Sequence, residues 1–294
     1  MERLLIIDGH SYAYRAFHAI RELHSPSGEP TNAIYGFIKM LAKLRATIVP
    51  THWIVVWDGG LSAERVAALP EYKAQRPEMP GDLSLQIDGM VSYLNAAGIS
   101  SFCRAGIEAD DVIACIAWRA EKMGWTSVIA SSDKDFMQLV SPRIGLLNPH
   151  DKTDAVWTDE QVRVKTGVEP SQIVDWLSLM GDSVDNIPGV RGVGPKTAAD
   201  LLNQFDSVEG VFGRLDEVKS EKLKAALLEA KETVRRNREI VRLHEVECGF
   251  SREEMGIKPP DRQRLRELYS RWGFRTLLAA LEETLLHERQ VALI

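Results

Sequence analysis

Asp8 follows an apolar run at residues 4–7, Asp58 follows another at 53–57, and Asp133 comes shortly after a third at 127–130. Open parallel sheets bind ligands just past the carboxyl ends of their strands, although any one of these acids is equally well explained as a polar residue opening a turn. Glu108-Ala109-Asp110-Asp111 adds three acids in four positions at the start of a helical pattern, while Asp133-Lys134-Asp135 and Asp182-Ser183-Val184-Asp185 add pairs at i, i+2 and i, i+3. Acids in a first helical turn complement the macrodipole and cap free N–H groups, which accounts for one or two of them. Three mutually repelling carboxylates are less easily explained this way, unless a cation neutralises them.

Together Asp8, Asp58, Glu108, Asp110, Asp111, Asp133, Asp135, Asp182 and Asp185 make nine oxygen donors with no His or Cys at ligand spacing. Hard oxygen ligands suit Mg²⁺ or Mn²⁺ rather than zinc. Two such ions about 3.5–4 Å apart serve in-line attack on a phosphodiester, one activating water and the other stabilising the leaving oxygen. That chemistry rests on positioning and charge neutralisation, without a covalent nucleophile.

Other residues are suited to phosphate. Gly192 and Gly194 precede a helical pattern opening at Pro195, a favoured first helical residue, and Lys196 and Thr197 follow. Glycines there let a nucleic-acid backbone approach exposed N–H groups, a hold that ignores sequence. Tyr72, Lys73 and Arg76 sit in an excursion at residues 59–80, longer than a usual α/β connection. A helical spacing would put both cations on one face beside a ring able to stack on single-stranded DNA; a charged surface helix is the plainer alternative. Arg15, soon after Asp8, is a further phosphate candidate or a surface arginine on an amphipathic helix.

The elements that must position these residues alternate. Apolar runs at 4–7, 53–57, 99–103 and 127–130 are interleaved with helical patterns such as 33–48 and 112–123, the signature of parallel strands joined by crossover helices. After about residue 165 the strands stop, and a charged helical stretch covers 217–245. The 294 residues, 45% hydrophobic and 27% charged, fit one or two globular domains and exclude disordered and fibrous classes. Three scattered cysteines give neither a disulfide scaffold nor a thiolate zinc cage, and no apolar run is long enough to span a membrane. A cytoplasmic protein is expected. The formal charge of −6, from 36 basic and 42 acidic residues, argues at first against a nucleic-acid partner. Setting the nine acids aside leaves 33 acidic against 36 basic residues, or +3, a surface that need not repel DNA.

The motifs Ile7-Asp8-Gly9-His10-Ser11-Tyr12, Tyr72-Lys73-Ala74-Gln75-Arg76-Pro77, Glu108-Ala109-Asp110-Asp111, Ser132-Asp133-Lys134-Asp135, Gly181-Asp182-Ser183-Val184-Asp185-Asn186-Ile187-Pro188-Gly189 and Gly192-Val193-Gly194-Pro195-Lys196-Thr197 occur in order over nearly the whole chain. In combination they resemble the bacterial 5′-to-3′ exonuclease and flap endonuclease family, which includes the amino-terminal nuclease domain of DNA polymerase I. The resemblance implies an α/β, PIN-like twisted and mostly parallel sheet with helices on both faces and a helical arch at about 60–80. A helical, SAM-fold-like duplex-binding domain would follow, with a helix-three-turn-helix motif at about 180–204; the expected domains are 1–166 and 167–294.

The resemblance also implies cutting of 5′ flaps and 5′-to-3′ exonuclease action, in Okazaki-fragment primer removal and DNA repair. The nine acids fall on the family's sites for two divalent ions. Asp8, Asp58, Asp133, Lys73 and Arg76 fall on its catalytic positions, and Arg15, Tyr72, Lys73, Arg76, Gly192, Gly194, Lys196 and Thr197 on its DNA contacts. The backbone carbonyls of Val190 and Val193 correspond to a site for K⁺. Expected partners are branched DNA with a free 5′ end, RNA-primed ends included, and a DNA polymerase in trans; a monomer and no membrane are expected. Where the family has Thr-Phe-Arg ahead of the arch, this chain has Ala63-Glu64-Arg65. No polymerase domain lies before Ile294, which leaves open a stand-alone nuclease or a piece of a longer protein.

A haloacid-dehalogenase-type phosphatase would need Asp-x-Asp after the first strand, but Asp8 is followed by Gly9 and His10. A topoisomerase-primase-like domain accounts for Glu108, Asp133 and Asp135 and leaves Asp8, Asp58, Asp182 and Asp185 unexplained. The alternative from another class is a non-catalytic binder of branched DNA using the same clamp, which predicts missing acids. An RNA-directed nuclease of the same fold stays open, because backbone recognition does not separate DNA from RNA.

Overall fold

The computed structural model describes residues 2–151, 153–248 and 251–291. They form two compact units, each built from non-contiguous stretches of chain. One gathers Glu2–Trp57, Met79–Phe102 and the described residues from 251 onward; the other gathers Asp58–Glu78 and Cys103–Cys248.

The strands are β1 (Arg3–Asp8), β2 (His52–Trp57), β3 (Ser100–Cys103), β4 (Thr126–Ala130), β5 (Ile144–Leu147) and β6 (Val156–Trp157). In the first unit they run in the order β3-β2-β1, with β1 parallel to β2 and Asp8 opposite Val56. Every residue of β2 and all but the first of β1 are buried, as continuous apolar runs in a parallel sheet require. The helix Gly9–Ala19 leaves β1 directly, and Gly9 is required there: a Cβ would stand 2.7 Å from the Trp57 ring. Helices Asn32–Ile48, Gly81–Ala96, Arg252–Met255, Arg262–Trp272 and Arg275–Val291 also belong to this unit. Buried Gln86 ties the start of the first of these to the second, accepting from Ala33 N–H at 2.8 Å and donating to Asn32 Oδ1 at 3.0 Å.

In the second unit the order is β4-β5-β6, parallel and then antiparallel. Of these, β5 and β6 were not legible from the sequence: four residues including a glycine, and two residues, are too short to show a period. Gly145 leaves room for the Val156 side chain, since a Cβ there would lie 2.3 Å from Val156 Cγ1. The helix Ala109–Lys122 carries Asp110 and Asp111 in its first turn. Helix Ile173–Met180 runs into a two-residue hairpin, Gly181–Asp182 against Ile187–Pro188, and then into helix Pro195–Phe205. The charged stretch at 217–245 is two helices, Glu221–Glu229 and Lys231–Val241, separated at Ala230. Among the described residues no helix is long and apolar enough to cross a membrane.

Candidate functional site

Eight of the nine acids belong to the unit formed by Asp58–Glu78 and Cys103–Cys248, and Asp8 belongs to the other. Asp8 is buried at the end of β1 and caps the next helix, its Oδ1 accepting from Ser11 N–H at 3.0 Å. Arg15 lies seven residues on, two turns along the same stripe of that helix, and is half-buried.

In the eight-acid unit Asp58 begins the excursion. Gly59 next to it is stitched to the loop before Glu108: its N–H donates to Ile107 O at 3.1 Å and its carbonyl accepts from Gly106 N–H at 2.8 Å. No side chain fits at Gly59, because a Cβ would fall 1.7 Å from Arg104 O. The excursion then holds one short helix, Ala63–Ala68, capped by Ser62, followed by turns. Lys73 and Arg76 therefore do not share a helical face; Lys73 adopts a left-handed φ of 56°, and its N–H donates to Asp185 O at 2.9 Å.

What brings these residues together is charge. The Lys73 ammonium donates to Glu108 Oε2 and lies 3.7 Å from Asp110 and 3.9 Å from Asp185. Although burial alone would lower its pKa, the surrounding acids, Asp110 foremost, hold it above its usual value. Glu108 is buried and its pKa is nonetheless lowered, because Lys73 and Arg65 outweigh its desolvation. Its two oxygens also accept from Ser62 N–H at 2.9 Å and from the Tyr72 hydroxyl at 3.1 Å. Tyr72 is only 4% exposed, with its ring packed 4.8 Å from the Lys73 ammonium. It is not the open stacking platform the sequence suggested, and burial pushes its pKa up. Arg76, its side chain 40% exposed, pairs with Asp185 at 2.5 Å, and Lys134 pairs with Asp182 at 3.0 Å.

Asp133 caps the turn that follows β4, accepting from Asp135 N–H at 2.9 Å. Desolvation and its acidic neighbours raise its carboxyl, and raise Asp135 well above the ordinary range, with Asp133, Asp185, Asp110 and Asp182 all acting against ionisation. Asp135 Oδ1 is buried without a hydrogen-bond partner. An unpartnered carboxylate oxygen facing four like charges, in an all-oxygen donor set, fits a divalent cation. Among the described residues no three acids already converge closely enough to hold an ion, and Lys73, Lys134 and Arg76 lie among them as counter-charges.

Asp111 stands apart from its expected role as an ion ligand. Both its oxygens are taken by the Arg65 guanidinium, at 2.7 and 2.8 Å, and Oδ1 also accepts from His244 N–H at 2.9 Å. Asp182 and Asp185 are set by the Gly181–Pro188 hairpin, where a Cβ on Gly181 would lie 2.4 Å from Gly189 N. Fully buried Asn237 ties the last residue of the hairpin to the helix that leads into it, donating to Pro188 O at 2.7 Å and to Ser178 O at 3.1 Å. Gly192 and Gly194 face open space, Gly192 with a φ of 82°, so bare backbone is presented ahead of the helix opening at Pro195. Lys196 is exposed and Thr197 half-buried beside them. The Val190 carbonyl accepts from Val193 N–H at 3.0 Å, and both side chains are buried.

Arg65, Lys134 and Asn237 escaped the sequence reading. A basic residue inside the excursion and another between two aspartates could have been weighed as counter-charges to the surplus acids; nothing local marks Asn237.

Residues 3–167 match the model of the 5′-3′ exonuclease N-terminal resolvase-like domain, and residues 168–263 that of the 5′-3′ exonuclease C-terminal SAM fold. The chain belongs to the 5′-3′ exonuclease family. A 5′-3′ exonuclease of Aquifex aeolicus (strain VF5) is 38% identical over 284 residues, covering 96% of each chain. DNA polymerase I of Bacillus caldotenax is 39% identical over 284 residues, which cover 96% of this chain and 32% of the polymerase. The chain thus spans about a third of the DNA polymerase I relatives it matches. Among solved structures, T5 5′-exonuclease with bound divalent zinc aligns with a TM-score of 0.69 at 25% identity, over 82% of this chain and 90% of that one. The catalytic core of Rad2 in complex with DNA substrate shares the fold, with a TM-score of 0.61 at 18% identity over 92% and 88% of the two chains.

Proposed function

We propose that this protein is a nuclease, a metal-dependent, structure-specific enzyme that hydrolyses DNA phosphodiesters near a free 5′ end, cutting 5′ flaps and trimming 5′ termini. The observation that carries the reading is the Asp133–Asp135 turn, where a buried carboxylate oxygen without a partner faces further acids. Asp8, Asp58, Glu108, Asp110, Asp133, Asp135, Asp182 and Asp185 would hold the ions, Mg²⁺ or Mn²⁺. When bound, a pair of such ions supplies a polarised water and neutralises charge at the scissile phosphate.

The chain's own residues do the rest. Lys73, fixed among Glu108, Asp110 and Asp185, is a permanent positive charge at the site. Arg76 is exposed enough to leave Asp185 for a substrate phosphate, to which a guanidinium binds in bidentate fashion. Arg15 is assigned the phosphate near the 5′ end, and Gly192, Gly194, Lys196 and Thr197 the duplex backbone. In this reading residues 1–166 cut and residues 167–294 grip, with K⁺ at the Val190 and Val193 carbonyls. Removal of RNA primers from Okazaki fragments and DNA repair, with a polymerase in trans, are the corresponding roles.

The test is a nicked duplex with a labelled 5′ flap, incubated with Mg²⁺, with Mn²⁺ or with chelator, beside an Asp133→Ala variant. Cuts at or next to the junction that need metal and vanish in the variant are expected. A flap that is bound but stays intact with either metal would sink the catalytic reading and favour a binder of branched DNA.

A further inference from the structure

Arg65 is 5% exposed, and its guanidinium joins three stretches of chain that are far apart in sequence. From the short helix Ala63–Ala68 it grips Asp111 with two parallel bonds of 2.7 and 2.8 Å. Its Nε donates to Ile240 O at 2.8 Å and one terminal nitrogen to Arg242 O at 3.0 Å, both at the carboxyl end of helix Lys231–Val241. Carbonyls at a helix end lack intrahelical partners and carry the negative end of the dipole. The other terminal nitrogen lies 3.4 Å from Glu108 Oε1.

We propose that Arg65 is a positioning residue for cleavage: through Asp111 it fixes the first turn of helix Ala109–Lys122, so that Glu108 and Asp110 face Lys73. This assigns Asp111 to the Arg65 fork instead of to an ion, and it deepens the nuclease reading, on which it rests. The physical need is local. Glu108, Asp110 and Asp111 repel one another across one helical turn, and a first turn held by packing alone would fray and let the acids splay. A planar fork that satisfies a carboxylate and two carbonyls at once removes that freedom. A lysine cannot replace it, since an ammonium is a point charge without bidentate geometry.

Three variants test the proposal: Arg65→Lys, Arg65→Ala and Asp111→Asn. Amide hydrogen exchange, run with neither DNA nor metal, is expected to speed up about tenfold or more at residues 62–76 and 109–113 in each, with helix Arg262–Trp272 unchanged. Single-turnover flap cleavage should fall about a hundredfold in Arg65→Lys while flap affinity stays within about threefold, as expected when reacting groups are misplaced but binding is intact. Methylguanidinium should restore part of the rate of Arg65→Ala and leave the wild type unaffected. Normal exchange and a normal rate in Arg65→Lys would overturn the proposal. So would lost protection throughout the molecule, which would make Arg65 a residue of general stability. If the wild type itself does not cut, the nuclease reading falls, and the exchange pattern alone then decides whether Arg65 anchors Asp111.

Discussion

Asp135 illustrates how a single residue at this site can work against the fold. Desolvation and the nearby Asp133, Asp185, Asp110 and Asp182 raise its carboxyl well above the ordinary range. The folded protein therefore binds this proton more tightly than the unfolded chain does. The corresponding stability is present below the unfolded carboxyl value and is lost as pH rises through the folded one. Asp135→Asn removes that cost, so the metal-free variant should melt about 2–4 °C above the wild type at neutral pH. Mg²⁺ should raise the melting temperature of the wild type more than that of the variant, and cutting should be lost; calorimetry with and without Mg²⁺ checks both. Tyr72 supports a second prediction. Its ring is buried and its hydroxyl serves Glu108, so Tyr72→Leu should leave affinity for single-stranded DNA within about twofold, whereas loss of a base-stacking ring would cost about 1–3 kcal/mol. A titration by fluorescence anisotropy would decide this.

At the scale of elements, two glycines near the site separate folding from binding. Gly181→Ala places a Cβ 2.4 Å from Gly189 N at a φ of 76°, inside the hairpin that carries Asp182 and Asp185. Backbone on both sides cannot yield, so a loss of about 3 kcal/mol or more is expected in chemical denaturation. Gly192→Ala meets nothing within 4 Å and bears only the strain of its φ of 82°, a cost of about 1 kcal/mol. The new methyl stands where a nucleic-acid backbone would approach, so duplex affinity should fall far more than stability does. Comparable losses of stability in the two variants would contradict this distinction.

For the whole molecule, a formal charge of −6 is compatible with the proposed nucleic-acid substrate because nine of the 42 acidic residues belong to the acid set, and the remainder of the chain carries +3. Chelator should abolish cutting while leaving duplex binding measurable. In that condition Lys196→Ala should lower affinity alike for unrelated sequences and reduce the slope of log K against log salt by about 1, the signature of one lost phosphate contact. A change that depends on base sequence would place Lys196 elsewhere.

The amino-acid sequence by itself determined the acid set, the four strands near residues 4–7, 53–57, 99–103 and 127–130, and the family. Those features are written in local spacing: a run of apolar residues, a carboxylate just past it, a pair of glycines before a proline. Only the tertiary structure decided which acids face cations, that Tyr72 is buried, that Asp111 belongs to Arg65, and that Asn237 ties a hairpin to the helix that leads into it. Arg65 meets Asp111 across 46 positions and Ile240 across 175, and Asn237 meets Ser178 across 59. Helical and strand periods extend over a few residues, so they carry no record of such pairings; the partners of a buried charge are chosen by whichever distant groups the packed chain brings within hydrogen-bond reach.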